Sequence, residues 1–231
     1  MYVPMDMKKW PKSWLTVEYK QYKRRHQFKL PEPEEISAPF SSILKNRVSC
    51  RKYDSSKEVT SKELSNLLYW SCGQKNIGIT NNTQDQSRMY PSGGARYPLE
   101  LYFAFIGNSE IPQGVYHYNV LNHSIEQVFE SEGEKELRNI PTYPFAVDAQ
   151  ISLYISAIFE RSMHKYRERG YRFIMLEVGI MLENLYLVST ALGLGSCALG
   201  TNKDTQIDAV LDLEEDVEST LSWVIVGHKK T

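Results

Sequence analysis

With 231 residues, 42% of them hydrophobic, the chain can bury one substantial core, which argues for a single body over residues 39–231 preceded by an extension over residues 1–38. Lysine and arginine (27) nearly cancel aspartate and glutamate (28), and the resulting charge of −1 argues against a general nucleic-acid binder. Cys50, Cys72 and Cys197 form no Cys-x-x-Cys clamp and have no histidine at ligand spacing, so no metal site is expected.

The odd cysteine count and the absence of an apolar leader after Met1 point to the reducing cytoplasm, where the glycosylation-type triplets at Asn81 and Asn122 carry no meaning. Lys8, Lys9, Lys12, Lys20, Lys23, Arg24, Arg25 and Lys29 face only Asp6 and Glu18, so the first thirty residues read as a solvated basic arm or as a docking surface for an acidic partner. Leu30-Pro31-Glu32-Pro33 reads as a stiff extended linker, and Pro39–Leu44 opens the body.

Thr60 with Glu63 forms a capping box that predicts an amphipathic helix ending at Gly73. Residues 76–87, rich in Asn, Gln and Thr, read as an exposed loop. Strands are expected at Leu99–Ile106, Ile151–Ile158 and Leu221–Val226, with a hairpin of Gly114–Tyr118 and Ser124–Phe129 between the first two. Tyr171–Leu192 predicts a long helix, apolar nearly all round and so expected to be buried on every side, ending at Gly193. Its Glu177, Glu183 and Asn184 interrupt the only run that approaches a membrane span, and none is expected. A short helix near Thr205–Leu213 follows. Helices and strands alternate without a βαβ rhythm, which favours an α+β sandwich.

Several catalytic patterns fail. Gly195–Gly200 has the glycine spacing of a phosphate loop, but Thr201-Asn202 stands where the lysine is required. No Rossmann glycine fingerprint, His-Glu-x-x-His pair or Gly-x-Ser-x-Gly elbow occurs. Two segments do carry chemistry. Arg47-x-Ser49-x-Arg51 alternates three donors that an extended backbone puts on one face, suited to an anion or to a solvated surface strand. Ser92-Gly93-Gly94-Ala95-Arg96 is a turn of minimal side chains that lets backbone amides approach a flat or anionic ligand.

Four segments in order resemble the FMN-dependent nitroreductase superfamily, and within it the SagB-type dehydrogenases that form thiazoles and oxazoles in ribosomal peptides. They are Arg47–Tyr53, Tyr90–Glu100, Lys165–Arg172 running into Leu176–Gly179 and Asn184-Leu185, and Ala191–Gly200; the Trp10…Arg24 lead-in adds to them. The resemblance implies a nitroreductase-like fold: a central, mostly antiparallel sheet flanked by helices, with the long helix buried at a homodimer interface. It implies FMN held by Arg47, Ser49 and Arg51, by Ser92, Gly93, Gly94 and Ala95, and by a late loop at Leu199 and Gly200. It assigns catalysis to Lys165 and Tyr166, which on composition alone sit in a basic solvated turn. It further implies a modified peptide as substrate and a cyclodehydratase as partner. Ile180 and Glu183 depart from the histidine and glutamine usual in that branch. An NAD(P)H-dependent nitro- or quinone reductase, and a flavin-free scaffold subunit of a peptide-modifying complex, are the alternatives.

Overall fold

The computed structural model describes residues 6–75, 87–107, 110–129, 143–200, 203–214 and 216–230. The expected loop at 76–87 therefore lies outside the described residues except for Ser87. Seven strands form one sheet: β1 (Gln27–Lys29), β2 (Leu99–Phe105), β3 (Gly114–Asn119), β4 (Ser124–Phe129), β5 (Ile151–Ile158), β6 (Leu194–Leu199) and β7 (Glu218–His228), in the order β1-β4-β3-β2-β5-β7-β6. All neighbouring strands run antiparallel. The helices are α1 (Phe40–Asn46), α2 (Ser61–Cys72), α3 (Glu160–Tyr166), α4 (Glu168–Ala191) and α5 (Asp204–Val210). This is the expected α+β architecture.

The strand pleat sorts two cores onto the two faces. Along β2, Leu101, Phe103 and Phe105 join Leu64, Leu67, Ile174, Met181 and Leu185 of α2 and α4, while Tyr102 and Ala104 join Tyr154, Trp223, Ile207 and Leu211 on the other side. Every residue of β2 is buried because both faces are covered. The Thr60–Glu63 capping box forms as predicted, with Glu63 N donating to Thr60 Oγ1 at 3.1 Å, and Gly193 takes φ +77° just past the end of α4.

Three expectations need correction. Leu199, expected in a late loop with Gly200, is the last residue of strand β6, which pairs with Trp223–His228 along its whole length. The residues Leu30–Pro33 are not a free linker: Leu30 is buried, Pro31 O accepts from Ser65 Oγ, and β1 just before them joins the sheet. Within one chain α4 is not buried on all sides. One stripe (Ile174, Val178, Met181, Leu185, Val188) packs on α2 and β6, whereas Leu176 stays 65% exposed.

Candidate active site

Arg167, at φ +53°, breaks a single helical run into α3 and α4. With ψ −141° this is a sparsely populated backbone conformation for a side-chain-bearing residue, which costs about 1–3 kcal/mol. Gly170 makes the break possible, since a Cβ there would stand 2.9 Å from the Ser162 backbone and the first turn of α4 packs directly on α3. The kink turns the end of α3 inward. Lys165 is consequently buried, although Arg161, Arg167, Arg169 and Arg172 around it make the segment read as solvated. Its Nζ has no hydrogen-bond partner among the described residues, and the ring centroids of Trp10 and Trp14 lie 3.6 and 6.0 Å away. Burial, aided by the nearby Arg96 guanidinium, lowers the Lys165 ammonium to a pKa of about 8.

Lys165 and Tyr166 both converge on the Ser92–Ala95 turn. Gly94 has φ +65°, and a Cβ built on it would stand 2.2 Å from Tyr166 Oη and 2.9 Å from Lys165 Nζ; one on Gly93 would meet Phe173 at 3.3 Å. Gly94 is thus favoured by the chain's own packing, a reason that spacing alone does not reveal. The atoms that a Cβ at Gly94 would meet are the far ends of flexible side chains. Gly94→Ala is therefore expected to fold with a strain cost of about 1–2 kcal/mol while displacing both Lys165 and Tyr166. Thermal unfolding compared with turnover on the intact protein separates the two effects.

Glu177 of α4 holds the turn from below: Ser92 Oγ and Gly93 N both donate to its Oε1 at 2.9 Å, and Tyr97 N donates to Ser92 Oγ at 2.8 Å. Burial raises the Glu177 carboxyl to a pKa of about 7, against the lowering pull of those two bonds and of Arg88. Arg96 lines a cavity of about 690 Å³, but its guanidinium is engaged by backbone carbonyls. Its three nitrogens donate to Arg161 O (2.7 Å), Trp14 O (2.9 Å) and Ser13 O (3.3 Å), which pins the N-terminal segment, and with it Trp10 and Trp14, over Lys165.

A second cluster sits at the other end of α4. Ser49 bridges to Ser196 at the open edge of β6, with Cys50 N donating to Ser196 O at 2.9 Å. Tyr186 of α4 anchors the cluster. Its hydroxyl accepts from Ala198 N at 2.7 Å and lies 3.3 Å from Ser49 Oγ, and the Arg47 guanidinium sits 5.4 Å from its ring centroid. Arg51 lines a cavity of about 470 Å³ with Lys52, Tyr53, Asp148 and Lys230, so Arg47 and Ser49 share one tyrosine while Arg51 faces a basic recess. β6 carries the edge on to Leu199, which is buried, and to Gly200, whose carbonyl accepts from Tyr143 Oη at 3.0 Å.

The structure thus brings Ser92–Ala95 together with Lys165 and Tyr166, and sets Arg47 and Ser49 beside the strand that leads to Leu199 and Gly200. It does not join the two groups within one chain. Their anchors, Glu177 and Tyr186, are nine residues apart on α4, roughly 14 Å at 1.5 Å per residue. The spacing of residues could not reveal Glu177, Tyr186 or Trp10 as parts of these clusters, because each acts through a contact distant in sequence. Among the described residues no group of three His, Cys, Asp or Glu side chains is arranged to hold a metal ion.

The sequence profile of the Nitroreductase family matches residues 44–228. The protein MJ1384 of Methanocaldococcus jannaschii, described as a nitroreductase, is 35% identical over 190 residues, covering 82% of this chain and 91% of its own. The microcin B17-processing protein McbC of Escherichia coli is 30% identical over 142 residues, 55% of this chain and 49% of McbC. A nitroreductase structure from Ralstonia eutropha superposes with a TM-score of 0.74 at 25% identity, covering 94% of this chain and 95% of that one. The E. coli microcin synthetase McbBCD complex, with truncated pro-MccB17 bound, shares the fold at a TM-score of 0.67 and 23% identity, covering 87% and 77%. A nitroreductase from Desulfovibrio desulfuricans in complex with FMN does so at a TM-score of 0.57 and 16% identity, covering 84% and 88%.

Proposed function

The chain belongs to the nitroreductase family, and from that premise we propose that it is an FMN-dependent dehydrogenase that oxidises thiazoline or oxazoline rings in a ribosomally made peptide. The observation that carries this reading is the buried Lys165, whose Nζ has no hydrogen-bond partner among the described residues, held with Tyr166 against a glycine turn.

The residues present fit FMN. Arg51, Lys52 and Lys230 surround the 470 Å³ recess with only Asp148 opposing them, a charge balance suited to a phosphate. Arg47 and Ser49 stand on the same segment, and Leu199 and Gly200 continue the adjoining strand. The Ser92–Ala95 turn supplies small side chains, and behind it Glu177 Oε2 is a buried oxygen with no partner among the described residues. When bound, FMN supplies the two-electron acceptor.

Aromatising an azoline removes a proton from one ring carbon and a hydride from its neighbour. Lys165 takes the proton on Nζ. Its pKa of about 8 leaves a usable neutral fraction near neutrality, which an ordinary lysine at about 10.4 lacks. Tyr166 Oη, packed against the same Gly94, orients the ring beside that nitrogen. Trp10 and Trp14 exclude water from the ammonium.

A second copy of the chain completes this picture. Phe40 (65% exposed) and Leu44 of α1 and Tyr171 and Leu176 of α4 are large apolar side chains left exposed in the single chain. A homodimer would cover them, and the partner chain's Arg47 cluster would complete each Ser92–Lys165 cluster. The likeness to McbC, a microcin B17-processing protein, and to the McbBCD complex with truncated pro-MccB17 bound supports a peptide substrate; a cyclodehydratase partner and a cytoplasmic location are part of the same proposal.

The broader similarity to MJ1384 favours a second reading, a nitro- or quinone reductase running on NAD(P)H. One experiment decides between them. The protein is reconstituted with FMN and given an azoline-containing peptide, and each ring is expected to lose two hydrogen atoms by mass spectrometry. NAD(P)H consumption with an unchanged peptide supports the reductase, and failure to bind FMN at all supports a flavin-free scaffold.

A further inference from the structure

We propose that Glu177 is a positioning residue whose ionised carboxylate locks the Ser92–Gly94 turn into its FMN-binding form and thereby makes cofactor affinity depend on pH. The proposal rests on the reading of that turn as part of the flavin site.

The geometry is specific. One carboxyl oxygen collects two donors from consecutive residues of the turn, a hydroxyl and a backbone amide, both at 2.9 Å. Both donors favour the ionised acid, since bonds to a charged acceptor are roughly twice as strong as neutral ones. The other oxygen, Oε2, is buried, and no donor among the described residues reaches it. Immediately beyond the gripped pair, Gly94 contacts Tyr166 and Lys165, so a slack turn would release the atoms that set both.

Burial outweighs the two bonds and the Arg88 charge, which puts the carboxyl's transition near pH 7. The groups that feel its charge are Arg88 on the strand-like approach to the turn, Tyr90 two residues later, and Tyr166 at the end of α3. Arg88 is raised and stays cationic, while burial raises both tyrosines so that they stay neutral. Glu177 is therefore the group in this cluster that changes charge around neutrality; Lys165, at about 8, titrates above it.

The test is FMN binding to the apo-protein, followed by flavin fluorescence across the neutral range. In the wild type, affinity should fall by up to roughly tenfold per pH unit below the Glu177 transition. Glu177→Gln keeps an acceptor for Ser92 and Gly93 but cannot ionise, and its FMN affinity should lose this pH dependence with little change in melting temperature. Ser92→Ala removes one of the two donors and should move the wild-type inflection to higher pH; this variant keeps the proposal testable where the glutamine variant fails to fold. A wild-type affinity that is flat with pH, an E177Q profile that overlays the wild type, or an unmoved inflection in S92A overturns the proposal. A wild type that binds no FMN at any pH instead overturns the flavin reading on which it rests.

Discussion

Lys165→Met is expected to lower azoline oxidation by about 10²–10⁴-fold, the range a general base contributes, while FMN binding and the fold persist. Methionine fills the volume under Trp10 and Trp14 without the buried ammonium, which has no hydrogen bond to lose among the described residues. Unfolding temperature should hold steady or rise. In the wild type, the rate should climb about tenfold per pH unit up to the lysine pKa of about 8 and level off above it, because the neutral amine is the active form. The variant should lose that climb.

The same shift has a stability signature of known sign. A lysine depressed from 10.5 to about 8 in the folded state binds fewer protons than in the unfolded chain between those values, so wild-type stability rises with pH across that window. The methionine variant lacks this rise. Unchanged turnover in the variant, or a wild-type rate that is flat through pH 8, would assign the proton to another group. Pairing the kinetics with a flavin absorbance spectrum rules out simple cofactor loss.

Much of the fold is legible in the order of residues, and what is not legible there has physical reasons. The Thr60–Glu63 cap, the Gly193 stop and the β-branched and aromatic runs of β2 to β5 are local, and local signals are written in consecutive residues. β6 is hidden because its glycines, Gly195 and the flanking Gly193 and Gly200, resemble a loop. Gly195 is explained only by its neighbour, since a Cβ would stand 2.7 Å from Cys50 Sγ. Lys165 is the sharper case. Composition describes the basic run it sits in, but the kink at Arg167 decides which side chain turns inward, and nothing in the residue order announces it. Arg96 is legible as a planar cation but not as a latch, because its acceptors are backbone carbonyls of residues about 65 and 82 positions away.

His117→Leu is expected to destabilise the fold strongly. Across β2, β3 and β4 runs a buried ladder: His117 Nε2 lies 3.0 Å from Glu100 Oε2 and His117 Nδ1 lies 2.9 Å from Glu126 Oε2. A ring that meets a carboxylate at each nitrogen must carry both protons, so it is an imidazolium. Burial pushes its pKa down, but the two glutamates outweigh this and hold it above the ordinary value. Glu100 also pairs with Arg161, and Glu126 accepts from Tyr22 N and Asn119 Nδ2, so two anions face two cations in the interior. Burial raises both carboxyls, yet Arg161 and His117 on Glu100, and the hydrogen bonds of His117, Asn119 and Tyr22 on Glu126, leave both lowered.

Leucine at 117 leaves two buried carboxylates with one cation between them. Breaking such a pair costs about 3–5 kcal/mol, and for a domain of this size that corresponds to a fall of roughly 6–20 °C in Tm. The pH dependence fixes the cause. The glutamates, lowered in the fold, stabilise above their unfolded pKa of about 4.3 and lose that contribution in more acidic solution. The histidine, raised in the fold, contributes fully below about 6.5 and loses its part as pH climbs through its folded value. The Tm gap between wild type and variant should therefore be widest between those limits and narrow on both sides. A gap that stays constant with pH would mean that packing alone, not the charged ladder, holds these three strands in register.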